Sequence, residues 1–246
     1  MKISQFFSCI KTPLVIVCVI LIFFTFFSFF IIDNIVLIEE SSLLKFLFIH
    51  ILFQLDLRME DNVALWFVSI IILICGFAFF ILGRKDMKLP IDNLQKFILK
   101  IISIYFLFLS MNKVIPLQES IWNKILTEIF EKGILFYAGI SWSYIFFILK
   151  IIFFVFLILT FRKLLVHINS KKIKAKIYFL IFSGAFPLII ILKAFEIQSI
   201  LYGYPQTILS CFIEFLGLTA FLSLFLLLNF IIGYYESQET GLEDKS

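Results

Sequence analysis

Charged side chains are scarce in this chain, and their scarcity excludes an ordinary soluble domain. Only 15% of the 246 residues are Asp, Glu, Lys or Arg, whereas 62% are hydrophobic. Soluble domains average about 25% charged and about 45–50% apolar residues. The composition therefore predicts an integral membrane protein.

The signatures of common catalytic and metal-binding sites are also missing. The sequence has no G-x-G-x-x-G, P-loop, H-E-x-x-H or nucleophile elbow. Its two histidines, His50 and His167, argue against a bis-histidine haem or a histidine-rich metal centre. Its four cysteines lie in or beside apolar runs without a C-x-x-C pair, which is typical of small apolar side chains. We predict no cofactor, no metal site and no nucleic-acid partner.

What the chain has in abundance is apolar runs, and they predict an all-α polytopic membrane protein with a bundle of six transmembrane helices. A helix needs about 20 apolar residues to cross about 30 Å of hydrocarbon. The predicted spans, in one domain over 1–235 with a polar tail at 236–246, are about 13–32, 63–83, 97–111, 139–161, 177–199 and 208–235. A signal peptide is the alternative for the first run, but 20 residues exceed an h-region of about 7–15.

Two stretches mix charged and apolar residues and are predicted to lie in the membrane interface. They cover 39–62 and 112–133, and both follow spans that end on the same side. In each, apolar residues recur among acids and bases, as in a helix that lies along the headgroup boundary. We therefore predict two amphipathic segments on one face of the membrane.

The placement of Lys and Arg predicts the orientation. Fourteen lie in the N-terminal segment, the loops at 84–100 and 162–176, and the tail, whereas five lie in the alternate loops. The positive-inside rule then puts both termini on the cytoplasmic side of the membrane. Trp66 and Trp142 agree, since they fall near the outer ends of their spans, where interfacial tryptophan is common.

Three ionisable residues lie in the last two apolar runs and form the first candidate site. They are Lys193, Glu196 and Glu214. A charge in hydrocarbon costs about 2.5–3.5 kcal/mol on insertion scales. Each of these side chains therefore needs an oppositely charged partner, contact with water or a functional role that justifies the cost. Lys193 and Glu196 share a helix face, and a short turn makes the two helices neighbours. The cluster is either structural, with Lys193 snorkelling outward, or a solute, proton or catalytic site.

The second candidate site is the acidic run before the second span, which contains Asp56 and Glu60. Carboxylates grouped in this way are the ligands that a cation such as Ca²⁺ prefers. The alternative is a solvated helix entry in which an acid caps the first turn. Trp66 is then an interfacial anchor.

The stretch from Phe53 to Ser69 resembles a motif of a family of uncharacterised bacterial multi-pass membrane proteins. Its pattern is roughly F-x-(L/V)-D-x-x-x-E-x-N-L-P-T-W-(F/Y)-x-S, and Ala64 and Leu65 stand where the family has Pro-Thr. The matching residues are Asp56, Glu60, Asn62, Trp66 and Ser69.

Further matches to this family extend the resemblance to about residues 50–235. The stretch from Phe108 to Glu119 is similar to the pattern F-L-S-L-D-E-A-A-x-x-H-E. It retains the F-L-S frame and Glu119. In place of the pattern's Asp, Glu and His it has Asn112, Lys113 and Gln118. Two weaker matches are Glu214 to Gly217, similar to E-x-x-G in the last span, and Gly184-Ala185 with Glu196, similar to the span before it.

The resemblance implies a fold and candidate positions, but no activity. The acids and the histidine of the second motif are similar to metal ligands or acid–base groups at the outer leaflet. Their loss here argues against shared hydrolytic chemistry.

Three functions follow as hypotheses. The first is a non-enzymatic membrane component that binds lipids, protein partners or further copies of itself. The second is a solute or proton-coupled transporter that uses Lys193, Glu196 and Glu214. The third is a degenerate outer-leaflet hydrolase, so an enzyme is the less favoured class. Gly184 and Gly217 are predicted positions of close helix packing, either within the chain or between chains.

Overall fold

The computed structural model describes residues 3–35, 51, 55, 63–84, 87–114, 142–168, 173–201 and 207–239. These residues form six long α-helices, and none of them lies in a β-strand. The helices are α1 (Ile3–Ile35), α2 (Val63–Leu82), α3 (Asn93–Val114), α4 (Trp142–His167), α5 (Ile173–Leu201) and α6 (Thr207–Glu239). The predicted all-α class is confirmed.

Five of these helices, α1, α2, α3, α5 and α6, are long and apolar enough to cross a membrane. The prediction of several helices able to span a membrane is therefore confirmed for these five, and they are compatible with a membrane protein. A sixth span through α4 stays a prediction. The two amphipathic segments, at 39–62 and 112–133, lie almost wholly outside the described residues, so they also stay predictions.

The helices extend beyond the predicted spans. α1 begins at Ile3, ahead of the predicted start at residue 13, and α6 continues to Glu239. Hydropathy marks only the part of a helix that lies in hydrocarbon, whereas backbone hydrogen bonding continues into the headgroup region. Pro13 lies inside α1 and Pro187 inside α5. Each lacks an amide hydrogen and so removes one bond of the helix ladder, which apolar membrane helices tolerate.

The core lies along α2 and α6. Half of the most apolar window of each is buried, compared with 17–28% for α1, α3 and α5. α6 contacts α2 through Phe221, whose carbonyl oxygen lies 3.9 Å from the Sγ of Cys75, and α3 through the Phe106–Phe221 ring pair. Phe79 stacks on Phe161 of α4, with ring centroids 6.1 Å apart. The two central helices therefore hold the peripheral ones.

Helices that follow one another in the chain run antiparallel, and the contacts between helices gather six helix ends together. The backbone N–H of Ser4 donates to Oε2 of Glu236 at 3.0 Å, so α1 begins where α6 ends. Lys163 of α4 forms an ion pair with Asp92, just before α3, at 3.3 Å. A carboxylate at a helix N-terminus also interacts favourably with the helix dipole, which is the position Glu236 takes beside α1.

The α4–α5 and α5–α6 pairs connect these two groups of ends. Phe161 of α4 lies against Phe182 of α5, with ring centroids 6.3 Å apart, and α5 and α6 pack side by side. Leu201 and Thr207 are joined by five residues, which span at most about 20 Å, so the α5–α6 pair is antiparallel. We call the shared end, where α1, α3 and α5 begin and α2, α4 and α6 end, the basic end. Its described Lys and Arg residues are Lys11, Arg84, Lys88, Lys96, Lys100, Arg162, Lys163, Lys174 and Lys176, against the acids Asp92, Glu236 and Glu239.

The closest helix contact is a seam of small residues between α2 and α3. On α2 the seam consists of Ser69, Gly76 and Gly83, spaced by seven residues. A Cβ atom on Gly76 would lie 3.3 Å from the Cβ of Phe106, and one on Gly83 would lie 2.9 Å from the carbonyl oxygen of Lys96. Small residues at this spacing let two membrane helices approach closely along their whole length.

Two other glycines have no neighbour of this kind in the described part of the chain. Among the described residues, nothing lies within 4 Å of the position that a Cβ would take on Gly184 or Gly217. Of the two alternatives for these residues, close packing inside the described bundle is therefore wrong. Hydropathy and residue size alone did not distinguish them from Gly76 and Gly83.

We expect Gly83→Ala to lower the melting temperature of the purified protein in detergent. The new methyl group would meet a backbone oxygen that no rotamer change can move, and overpacking of this kind costs about 1–3 kcal/mol. Gly217→Ala is the matched control, because its methyl group enters open space and alanine favours a helix over glycine by about 0.5–1 kcal/mol. Equal melting temperatures for the two variants would contradict the seam.

Candidate functional site

The first candidate site lies on α5 and α6, which pack side by side. Lys193 and Glu196 belong to the C-terminal part of α5, and Glu214 belongs to the N-terminal part of α6. The structure therefore puts all three on adjacent helices and towards the end opposite the basic end. The side chains of Lys193 and Glu196 lie outside the described residues, so the predicted ion cluster stays a prediction.

Glu214 is half-buried about 10 Å along α6 from Thr207. Its helix neighbours Phe212 and Phe215 both pack against Phe26 of α1, with ring centroids 6.1 and 6.0 Å apart. This carboxyl group thus lies in an aromatic part of the bundle, where α1 covers one side of α6. An ionisable group at this depth is a functional candidate or needs a partner from a neighbouring helix.

The second candidate site, with Asp56 and Glu60, lies outside the described residues, as does Glu119. What the structure does describe is how the two helices beside them are joined. Ser69 follows the first motif on α2, and Ser110 belongs to the second motif on α3. These serines form what we call the serine clasp.

The serine clasp is buried and contains three short oxygen–oxygen contacts, of which the two hydroxyl protons can form two hydrogen bonds at a time. The hydroxyl of Ser69 donates to the carbonyl oxygen of Ser110 at 2.7 Å, and the Ser110 hydroxyl lies within 2.9 Å of the Ser69 carbonyl oxygen. The two hydroxyl oxygens are also 2.9 Å apart, close enough for one to donate to the other. Since both hydroxyls bond across the helix pair, each satisfies a polar group that would otherwise be exposed to hydrocarbon.

The serine clasp brings together the two stretches that resemble family motifs. Ser69 is the last residue of the motif that contains Asp56 and Glu60, and Ser110 is the third residue of the motif that contains Glu119. α2 therefore begins and α3 ends at the same end of the α2–α3 pair. Sequence reasoning treated the two serines only as motif matches. The signal that could have paired them is the seven-residue spacing of small residues on both helices. Gly76 lies seven residues after Ser69 on α2, and Ser103 lies seven residues before Ser110 on α3.

Other polar contacts in the bundle are also structural. Thr25 donates to the carbonyl oxygen of Leu21 at 2.8 Å, and Thr219 donates to that of Phe215 at 2.8 Å. At the basic end, Nζ of Lys96 donates to the carbonyl oxygen of Met87 at 2.6 Å and so holds the turn before α3. Among the described residues, no three His, Cys, Asp or Glu side chains are grouped so that they could hold a metal ion.

Comparisons with known proteins add no assignment. No protein-family model matches the chain, and neither does any curated protein or solved structure. The resemblance to a bacterial membrane protein family therefore stays a prediction.

We expect the serine clasp to be measurable as a coupling energy between α2 and α3. The variants Ser69→Ala, Ser110→Ala and the double variant form a thermodynamic cycle that measures this energy. We expect the coupling energy to fall in the range found for hydrogen bonds between membrane helices, about 0.6 kcal/mol on average and up to about 1.7 kcal/mol. The control is Ser183→Ala, because the Ser183 hydroxyl donates only to Leu180 of its own helix. Strictly additive losses of stability for Ser69 and Ser110 would show that the two side chains act separately.

Proposed function

We propose that this protein is a six-span component of a bacterial inner membrane that acts by binding lipids and protein partners rather than by catalysis. The observation that carries the proposal is the use of the polar groups inside the bundle. The described hydroxyls of the serine clasp, Thr25 and Thr219 all bond to backbone oxygens. The serine clasp joins α2 to α3, whereas Thr25 and Thr219 bond within their own helices. These hydroxyls are thus engaged inside the bundle, and the surface on which the protein meets its surroundings is apolar.

The exterior supports this proposal. Large apolar side chains are exposed along the helices, including Phe23 at 60%, Phe77 at 53% and Leu180 at 71%. In water such a surface would aggregate, whereas in a bilayer it is covered by acyl chains or by another apolar protein surface. The open space at Gly184 and Gly217 offers positions where a second helix, from a partner or another copy, can approach closely.

The orientation rests on charge. Six alternating spans require their cytoplasmic loops on one side of the bundle, and the six helix ends gathered at the basic end support this arrangement. Nine described bases against three acids at this end favour the cytoplasmic face. We infer that both termini are cytoplasmic and that α4 forms the sixth span.

We expect cysteine labelling in intact cells to show this topology. In a variant whose native cysteines are replaced by alanine, Lys88→Cys and Lys174→Cys should react with a membrane-impermeant maleimide only after the cells are opened. Lys113→Cys, on the predicted outer side, should react in intact cells and serves as the matched control. Labelling of residues 88 and 174 from outside would reverse the proposed orientation.

A proton- or solute-coupled carrier is the second candidate function, and the half-buried position of Glu214 in α6 favours it. A carboxyl group in an apolar span can take up and release a proton or cation as its surroundings change. Glu196 and Lys193, on the helix packed beside α6, are the residues proposed to complete such a site.

We expect Glu214→Gln to separate the two candidates. A carrier predicts an unchanged melting temperature in detergent and a loss of proton uptake into proteoliposomes, whereas structural support predicts a lower melting temperature. Glu236→Gln is the control, because it removes the same charge from the same helix at the basic end, where it weakens the cap on α1. Glu196→Gln should behave like Glu214→Gln if the two acids act together. A lower melting temperature without altered uptake would exclude the carrier.

A further inference from the structure

The middle of α5 contains three residues that weaken a helix within five positions: Ser183, Gly184 and Pro187. In a regular helix the amide of residue 187 would donate to the carbonyl oxygen of Ser183, but proline has no N–H and its ring crowds that oxygen. The hydroxyl of Ser183 donates to the carbonyl oxygen of Leu180 at 3.1 Å, and side-chain bonds back along the same helix often accompany bending. We call residues 183–187 the weak turn.

The outer side of the weak turn is open. Gly184 and Pro187 are both exposed and lie one turn apart, on the side of α5 that faces away from the bundle. Among the described residues, nothing lies within 4 Å of the position that a Cβ would take on Gly184. A change in the angle of α5 at this point therefore meets no described neighbour on that side.

The part of α5 before Pro187 is anchored to α4. The ring of Phe182 lies against Phe154 and Phe161, with centroids 5.7 and 6.3 Å apart, and Phe186 stacks on Phe154 at 4.2 Å. The buried residues of this part are Ala175, Phe182 and Ala185. Aromatic contacts on the last turn before the proline thus hold α5 in place up to the weak turn.

Burial changes after Pro187. None of the described side chains at 188–192 is buried, and Leu188 and Ile191 are 43% and 52% exposed. The helix continues to Leu201 and carries the positions of Lys193 and Glu196. We call residues 188–201 the arm. At 1.5 Å per residue the arm is about 20 Å long, so a bend of about 20° would move its far end by about 7 Å.

The other proline inside a helix lacks this change in burial. Pro13 of α1 has Phe7 buried before it and Leu14 and Cys18 buried after it. α1 is therefore packed on both sides of its missing hydrogen bond, and no glycine lies beside it. A proline alone does not make a hinge, whereas a proline between a packed and an exposed part of one helix supplies both the weak point and the freedom to move.

We propose that α5 hinges at the weak turn, so that the arm changes its angle relative to α6. Hinges are short segments that take up the change in backbone angles between two rigid parts. The five residues between α5 and α6 span up to about 20 Å, so they permit a displacement of this size. The motion changes the separation between the arm, with Lys193 and Glu196, and Glu214 of α6. It goes beyond the proposed function and does not require the protein to be a carrier.

Distances between pairs of spin labels test the hinge in the full-length protein in lipid nanodiscs. The native cysteines are replaced by alanine, and two pairs of exposed positions on α5 and α2 receive cysteine. The arm pair is Ile191→Cys with Ile70→Cys, and the reference pair before the weak turn is Ile177→Cys with Phe80→Cys. We expect the distance distribution of the arm pair to be several ångströms wider than that of the reference pair.

Restoring a regular helix should remove this difference. We expect Pro187→Ala to narrow the arm pair to the width of the reference pair, because alanine returns the amide that the carbonyl of Ser183 lacks. Gly184→Ala should narrow it in part, since its methyl group enters open space and restricts the backbone. Either variant tests the hinge if the other fails to fold. Pro13→Ala is the matched control, which removes the same ring from α1 and should change neither width.

Three outcomes would overturn the proposal. Equal widths for the two pairs in the unaltered helix would show that α5 moves as one rigid element or not at all. A wide arm pair that both alanine variants leave unchanged would place the motion outside the weak turn. Equal narrowing by Pro13→Ala would indicate a general stiffening of the bundle. Because none of these distances depends on transport, failure of the hinge is distinguishable from failure of either proposed function.

Discussion

The close approach of α2 and α3 is the constraint on which the rest of the bundle depends. Lipid tails are as apolar as leucine, so the hydrophobic effect gives two membrane helices little reason to associate. What remains is van der Waals packing and hydrogen bonding, and both improve when backbones come near each other. The seam supplies both, since Gly76 and Gly83 allow contact and the serine clasp adds directional bonds. This pair then forms one wall on which α4 and α6 pack.

Packing of the remaining helices depends on large aromatic side chains rather than on small ones. Phe79 joins α2 to α4, Phe221 joins α3 to α6, and Phe154 joins α4 to α5 through a stacked contact with Phe186 at 4.2 Å. Aromatic rings bridge wider gaps between helices than glycine allows, and offset or edge-on pairs add about 0.5–1.5 kcal/mol beyond area burial. The bundle therefore combines a small-residue contact between α2 and α3 with aromatic contacts between other helices.

Much of this fold could be predicted from sequence, because an apolar run long enough to cross a bilayer corresponds to one helix. The helices at 63–82 and 207–239 follow from hydropathy with little error at their apolar parts. The start of α1 at Ile3 could not be predicted in this way, since residues before Pro13 form a helix for reasons of backbone hydrogen bonding and not of hydropathy. The close approach of Gly83 to Lys96 could not be predicted either, because the sequence alone does not show which glycines face a neighbouring helix. Nor does sequence decide the role of Glu214, which depends on side chains of α5 that the described residues do not include.

The contact between Ser4 and Glu236 joins residues that are 232 positions apart in the chain. During synthesis α1 leaves the ribosome before the other five described helices, whereas the carboxylate that caps it lies on the sixth. The helix α1 must therefore persist as a single element, stabilised by its own apolar length, until α6 has been made. Closure of α1 onto α6 is a late, long-range event in assembly, and a chain truncated before α6 lacks the described helix on which α1 packs most extensively.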